Sequence, residues 1–196
     1  MREIDTHRRQ LLQWTLASLP ALPAVLVALG GLGMAPPVAA AASGAHDFDF
    51  FLGNWRVHHR RLRKRLAGSR DWDEFEGSSR CQALLGGLVN VNESESHRGG
   101  QTYNGLGIRA YDAASGLWAD WYLDGGKPTS IEAAGSGRFA GGVGTFLADE
   151  TFEGKPVKVR GIFRPITADT CQWEQAFSPD EGRSWETNWI MRYTRV

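Results

Sequence analysis

From residue 48 onward no stretch of the chain keeps apolar residues at helical spacing for long enough to predict a helix. That absence constrains the fold more than any single motif. In place of helices stand about ten short segments rich in Trp, Val, Phe, Tyr and Ile, separated by clusters of Gly, Asp, Pro or Asn. The spacing predicts strands over Trp55–Arg63, Trp72–Cys81, Leu88–Glu95, Gly105–Tyr111, Trp118–Leu123, Thr129–Ala134, Val143–Ala148, Val157–Arg164, Cys171–Phe177 and Trp185–Thr194. Asp124-Gly125-Gly126, Gly141-Gly142 and Glu153-Gly154 supply turn positions with positive φ. Connections this short make neighbouring strands antiparallel. An all-β antiparallel meander of about ten strands, with no long crossover, closes most simply into a barrel and so removes its edges. A two-sheet sandwich is the competing arrangement.

The first 42 residues read differently. Arg8 and Arg9 precede Leu11-Leu12 and an apolar stretch broken by Pro20 and Pro23, which ends in the small-residue run Val38 to Ala42. This is the layout of a cleavable signal peptide over 1–42, and the paired arginines point to twin-arginine export. An uncleaved membrane anchor is the alternative, because the apolar stretch is nearly long enough to span. The two prolines and the A-x-A site favour cleavage. The expected address is the periplasm, with the Tat translocon as partner during export and no stable membrane insertion afterwards. Residues 43–196 then form a single domain, and seven Trp and nine Phe are ample for its core. Without the leader the chain carries 19 basic and 20 acidic residues, since Arg2, Arg8, Arg9, Glu3 and Asp5 leave the totals of 22 and 22. A near-neutral chain has no long-range attraction for nucleic acid.

The basic run Arg56 to Arg65 is the local exception. In a strand, His59, Arg61 and Arg63 share a face with Trp55 and Val57, while Arg56, His58, Arg60 and Lys64 point the other way. Two readings follow. One face can offer an anion site inside a barrel, with Arg gripping a carboxylate or phosphate. Alternatively the run is a solvated strand neutralised across its hairpin by Asp71, Asp73, Glu74 and Glu76. Towards the C-terminus, Trp185, Thr187, Trp189, Met191 and Tyr193 alternate with Glu186, Asn188, Ile190 and Arg192. Either face can line the lumen, because ligand-holding barrels tolerate polar groups inside.

Phe51-Leu52-Gly53-Asn54-Trp55, the strand meander and Arg192 in the last strand together resemble the calycin superfamily. The Gly-x-Trp of lipocalins packs near an arginine of the last strand. The resemblance therefore implies structural roles for Gly53, Trp55 and Arg192 at the closed end. More closely, residues 46–196 are similar to uncharacterised bacterial exported proteins with a lipocalin-like barrel domain of unknown function. The matching pieces are Leu84-Leu85-Gly86-Gly87, Tyr111-Asp112 with Trp118, Val143-Gly144-Thr145-Phe146, Trp173-Glu174-Gln175 and Trp185-Glu186-Thr187-Asn188-Trp189. The family implied in this way specifies a fold and no activity.

Several chemistries can be weighed directly. Some calycin relatives bind haem through a late-strand histidine; no His follows His97, so that mode is not available. His58 and His59 face oppositely in a strand, and no His/Cys cluster has zinc spacing, so no metal site is expected. Ser178-Pro179-Asp180-Glu181-Gly182-Arg183-Ser184-Trp185 fits the Asp-box pattern, which predicts a hairpin turn rather than glycosidase chemistry. Gly135-Ser136-Gly137 lacks the strand–turn–helix context of a nucleophile elbow. Cys81 and Cys171 fall on the second and ninth strands, too far apart round a barrel for a bridge, and are expected as free or buried thiols.

Two function classes survive. The first is an exported barrel that binds a small amphipathic organic acid. Its candidate ligand-binding residues are His59, Arg61, Glu93, Trp118, Asp120, Tyr122, Trp173 and Glu174. In that reading Glu93, Asp120 or Glu174 can neutralise Arg61, and if none does a ligand anion can. The second is a small barrel enzyme (an isomerase, cyclase or hydrolase) using acid–base residues in the same cavity. A filled, purely structural barrel is a third reading. The sequence assigns no cofactor and no catalytic residue.

Overall fold

The computed structural model describes residues 44–131 and 134–196, all within the unit Pro37–Val196. The expected signal peptide lies outside the described residues. Ten strands follow one another: β1 Gly53–Leu62, β2 Trp72–Leu84, β3 Val89–Arg98, β4 Gln101–Asp112, β5 Leu117–Asp124, β6 Gly135–Ala140, β7 Val143–Phe152, β8 Lys155–Ile166, β9 Thr170–Ser178 and β10 Glu186–Arg195. Each pairs antiparallel with its chain neighbours, and β10 returns to pair with β1, so the sheet is a closed barrel rather than a sandwich. Among the described residues no helix is long and apolar enough to cross a membrane.

Nine of the ten predicted strands overlap their observed counterparts. The sixth does not: Thr129–Ala134 contributes only an isolated bridge, Leu123 to Ile131, and β6 begins at Gly135. Crowding accounts for the shift. A Cβ at Gly137 would meet the Thr145 carbonyl and the Phe146 ring, so only a glycine segment can pass this close to β7. The Gly-Ser-Gly stretch is therefore a strand and not a turn.

Burial fixes the lumen face. Trp55, Val57 and His59 of β1 are buried while Asn54 and Arg56 are exposed. Carried through the pairing register, this parity puts Ser79 and Cys81 of β2 and Asn92 of β3 inside with them. It does the same for Arg109 of β4, Trp118 of β5 and Phe163 of β8. One end of the lumen is packed solid. A 3-10 turn, Asp49–Phe51, folds into it, and Phe48 meets the rings of Trp118, Phe139, Phe146 and Phe163 at 4.9–5.7 Å. Phe51 packs on Trp55, Phe163 and Tyr193. Each fully buried ring of this plug contributes about 1.5–3 kcal/mol.

The Gly-x-Trp feature sits at this closed end, with one correction. The Trp55 indole donates to the Phe51 carbonyl at 2.8 Å, and the guanidinium above its ring, at 4.2 Å, belongs to Arg195, not Arg192. Arg195 is the register partner of Trp55 and also donates to the Leu52, Phe50 and Ala168 carbonyls. Arg192 lies on the outer face, where it donates to Gln172 at 3.0 Å. Two-residue alternation separates the pair: Tyr193 and Arg195 face in, Arg192 faces out.

A bulge between Thr187 and Trp189 corrects the expected β10 pattern too. Trp189, Met191 and Tyr193 do share a face, but Trp185 does not join them; it lies under the Arg160 guanidinium at 4.4 Å. The Ser178–Trp185 turn is the expected hairpin. Asp180 accepts from the Ser184 N–H at 2.9 Å and from its hydroxyl at 2.7 Å, and these bonds hold its carboxyl down to about 2. Cys81 and Cys171 are free and buried, and burial pushes their thiols up to about 11 and about 12.

Candidate functional site

Above the plug the lumen is lined by the mouth halves of the strands. β1 sends His59 and then Arg61 inward. His59 is stacked face to face on Phe75 at 4.6 Å and accepts a hydrogen bond at Nδ1 from the Trp189 indole at 3.2 Å. An imidazole accepting at Nδ1 carries its proton on Nε2, so the ring is neutral. Burial, assisted by the charges of His58 and Arg61 against that of Glu76, drops its pKa to about 4. Its Nε2 lies over Gly77, where a Cβ would approach within 2.9 Å.

Arg61 is the most distinctive group. It stands opposite Trp189 across the β1–β10 pairing, and its guanidinium lies 4.4 Å over that indole. Trp173 meets Trp189 edge-on at 6.0 Å. Among the described residues no carboxylate pairs with Arg61. Burial, with the neighbouring charges of Arg65 and Arg98, pulls its pKa down to about 10, while the phenols of Tyr122 and Tyr103 work the other way. Three other basic side chains of the run are engaged across the hairpin. His58 pairs with Glu76 at 2.7 Å, Arg60 with Glu74 at 2.9 Å, and Arg63 with Asp73 at 2.8 Å. Arg98 also binds Asp73. The cross-hairpin pairing expected for the basic run thus holds for His58, Arg60 and Arg63, and leaves out Arg61.

The remaining candidates divide by face. Asp120 and Tyr122 of β5 and Trp173 of β9 face the lumen, and Trp118 does so within the plug, where its indole donates to the Gly44 carbonyl. The Tyr122 hydroxyl lies against Gly105 on the neighbouring strand, filling the space a side chain would take. Asp120 pairs with Arg109 at 3.3 Å; burial raises its pKa and Arg109 opposes the rise. Glu93 and Glu174 are corrected to the outer face. Glu93 stands opposite Arg80 in the β2–β3 register and Glu174 accepts from Gln172 at 2.6 Å, both on the outer face away from Arg61. Their positions follow from register, since the inward residues beside them are Asn92 and Trp173.

Sequence reasoning missed Arg109, Trp189 and the loop after β1. Arg109 bonds Asn90 and Asn92 at 3.2 and 2.8 Å, and its guanidinium stands 5.0–5.7 Å from the rings of Phe48, Phe51 and Phe163. It forms the polar floor of the open half. Counting back across the Asp112 turn pairs it with Asp120, a signal available in the sequence. The loop after β1 bends over the mouth: Arg65 stacks on Phe152 at 4.4 Å, Leu66 packs against the Val157, Val159 and Phe177 cluster, and the Leu66 N–H donates to Glu186 at 2.6 Å. Leu66 takes a positive φ of 54° to do so, which no sequence pattern announces.

No protein-family model and no curated protein matches the chain. Solved structures do. Rv2717c from M. tuberculosis matches at TM-score 0.53 and 13% identity, over 80% of this chain and 98% of that one. The S-type phycobiliprotein lyase CpeS from Guillardia theta matches at TM-score 0.48 and 12% identity, over 76% of this chain and 90% of that one. The likeness to Rv2717c is one of fold, an all-β antiparallel barrel.

Proposed function

We propose that this protein is an exported carrier or sensor of a small organic acid, bound in the mouth half of the barrel with its carboxylate on Arg61. The observation that carries the reading is the state of Arg61: lumen-facing, set over the Trp189 ring, partly desolvated, and without an acid partner among the described residues. A guanidinium in this condition lacks what normally compensates its burial, and a carboxylate gripped by two parallel N–H donors supplies it. The half-buried Trp173, Trp189 and Met191 give the acid's apolar part a wall. Export by the twin-arginine route, with Arg8 and Arg9 as its signal, belongs to the same proposal.

The test is a titration of wild type and Arg61→Met with 1-naphthoate and with its uncharged amide, followed by tryptophan quenching. Trp173 and Trp189 line the site and report on it directly. The naphthoate is expected to weaken at least tenfold in the variant, with amide affinity unchanged. Equal loss of both probes, or no preference for the acid in wild type, would refute Arg61 as the anchor.

A further inference from the structure

Resting on that reading of Arg61, we infer that the acid is short and flat, a one- or two-ring aromatic carboxylate, and not a long-chain fatty acid. Among the described residues the deep half of the lumen leaves no channel for an acyl tail. That half is occupied by Phe48, Phe51, Trp55, Trp118, Phe146 and Phe163, each no more than 4% exposed. Arg109 closes the floor over three of these rings and is itself tied to Asn90, Asn92 and Asp120. On β10 the inward residues above the buried Tyr193 are Met191 and Trp189, so the space left spans about two inward positions per strand. That is roughly 13 Å along the strand, and strand tilt brings it to about 10 Å along the barrel axis.

The space is bounded from above as well. Arg65 and Leu66 cover the β7–β9 side of the mouth, where Phe177 is left only 3% exposed. Among the described residues the open side is that of Tyr103 and Tyr122, which face the lumen yet are 48% and 54% exposed. What surrounds this space is planar. Trp189 and Trp173 meet at 85°, and Tyr122 lies along the opposite wall over Gly105. A flat ring whose carboxylate lies in its own plane can stack on one of these faces while it engages Arg61, whose guanidinium already lies along the Trp189 face. An alkyl chain gains by length only where each added methylene is buried, at about fourfold per methylene. Here the floor stops that gain after the first few carbons.

The experiment is calorimetric titration of wild type with benzoate, 1-naphthoate, hexanoate and dodecanoate, repeated on Arg61→Met. We expect 1-naphthoate to bind at least tenfold tighter than hexanoate. Lengthening hexanoate to dodecanoate should tighten binding by less than tenfold, where full burial of the added carbons would give roughly a thousandfold or more. A tenfold or greater gain along the alkyl series, or hexanoate matching naphthoate, overturns the flat-acid inference. If the acids that bind are lost in Arg61→Met, the anchor stands whichever way the series runs. Binding that survives Arg61→Met unchanged overturns the anchor, and no binding of any acid to wild type overturns both.

Discussion

The structure makes a sharp claim about which arginine closes the barrel, and a double-mutant cycle tests it. Trp55 is 1% exposed, so Trp55→Ala removes a fully buried indole and its bond to Phe51, at an expected cost of about 3–5 kcal/mol. Arg195→Ala removes the guanidinium over that ring and three donors to backbone carbonyls. Arg195 is half-buried and water replaces part of what is lost, so the cost should be about 2–3 kcal/mol. The two changes share more than the ring contact. Two of the Arg195 acceptors, Phe50 and Leu52, belong to the plug that Trp55 pins through Phe51, so losing the indole also loosens those carbonyls. The double variant should therefore be less damaged than the sum by about 1–2 kcal/mol. Arg192→Ala serves as the control: an exposed residue bonded to Gln172 should cost less than about 0.5 kcal/mol and add cleanly to Trp55→Ala. The assay is urea unfolding with the slope held constant across variants. Additivity of Trp55 with Arg195 to within about 0.3 kcal/mol, or coupling of Trp55 to Arg192 instead, would refute the assignment.

Three further outcomes follow from the same geometry. His59 is held neutral with its pKa near 4 against an ordinary 6.5, so the unfolded chain takes up the proton first as pH falls. Stability is then full above about pH 6.5 and drops towards pH 4 by about 1 kcal/mol per unit, a slope that His59→Phe should lack in pH-dependent urea melts. Gly77→Ala drives a methyl into the Glu95 carbonyl and should cost about 1–3 kcal/mol; Gly105→Ala meets only the movable Tyr122 ring and should cost less than about 1 kcal/mol. The reverse order in thermal melts would contradict the packing described. Replacing Arg8 and Arg9 together by Lys should leave precursor in the cytoplasm on fractionation, and normal periplasmic accumulation would remove the case for twin-arginine export.

Much of the fold was legible because strand and turn chemistry are local. The two-residue alternation of Trp55, Val57, His59 and Arg61 against Arg56, His58 and Arg60 survives unchanged in β1. The sixth strand was not legible, because its glycines look like turn residues until β7 is beside them. Gly137 is then seen to make way for Phe146, a partner nine residues further along the chain. The plug was partly legible: the Phe48 to Leu52 run is plainly apolar, but that it folds into the barrel depends on the empty end it fills.

The site was harder to read, for a reason that can be stated in terms of parity. In a closed antiparallel barrel every inward residue inherits its direction from its register partner, so one secure inward residue fixes all the rest. Starting from Trp55, the pairings Gly53 with Cys81 and Cys81 with Asn92 turn Glu93 outward whatever its chemistry might recommend. Chemistry nominated Glu93, Asp120 and Glu174 as partners for Arg61. Register turned Glu93 and Glu174 outward, Asp120 is bound to Arg109, and Asp73 opposite Arg61 is bound to Arg63 and Arg98, so no carboxylate among the described residues pairs with it. The bulge at Thr187/Trp189 changes the parity once more, within β10. Counting back from Tyr193 without it places Thr187 inward and Glu186 outward. With the extra residue, Glu186 turns to the mouth, where its carboxylate receives the Leu66 N–H and holds the β1–β2 loop over the lumen. One inserted residue thus brings an acid to the mouth, and the loop backbone occupies it. The anion site proposed at Arg61 rests as much on where the neighbouring acids are engaged as on the arginine itself.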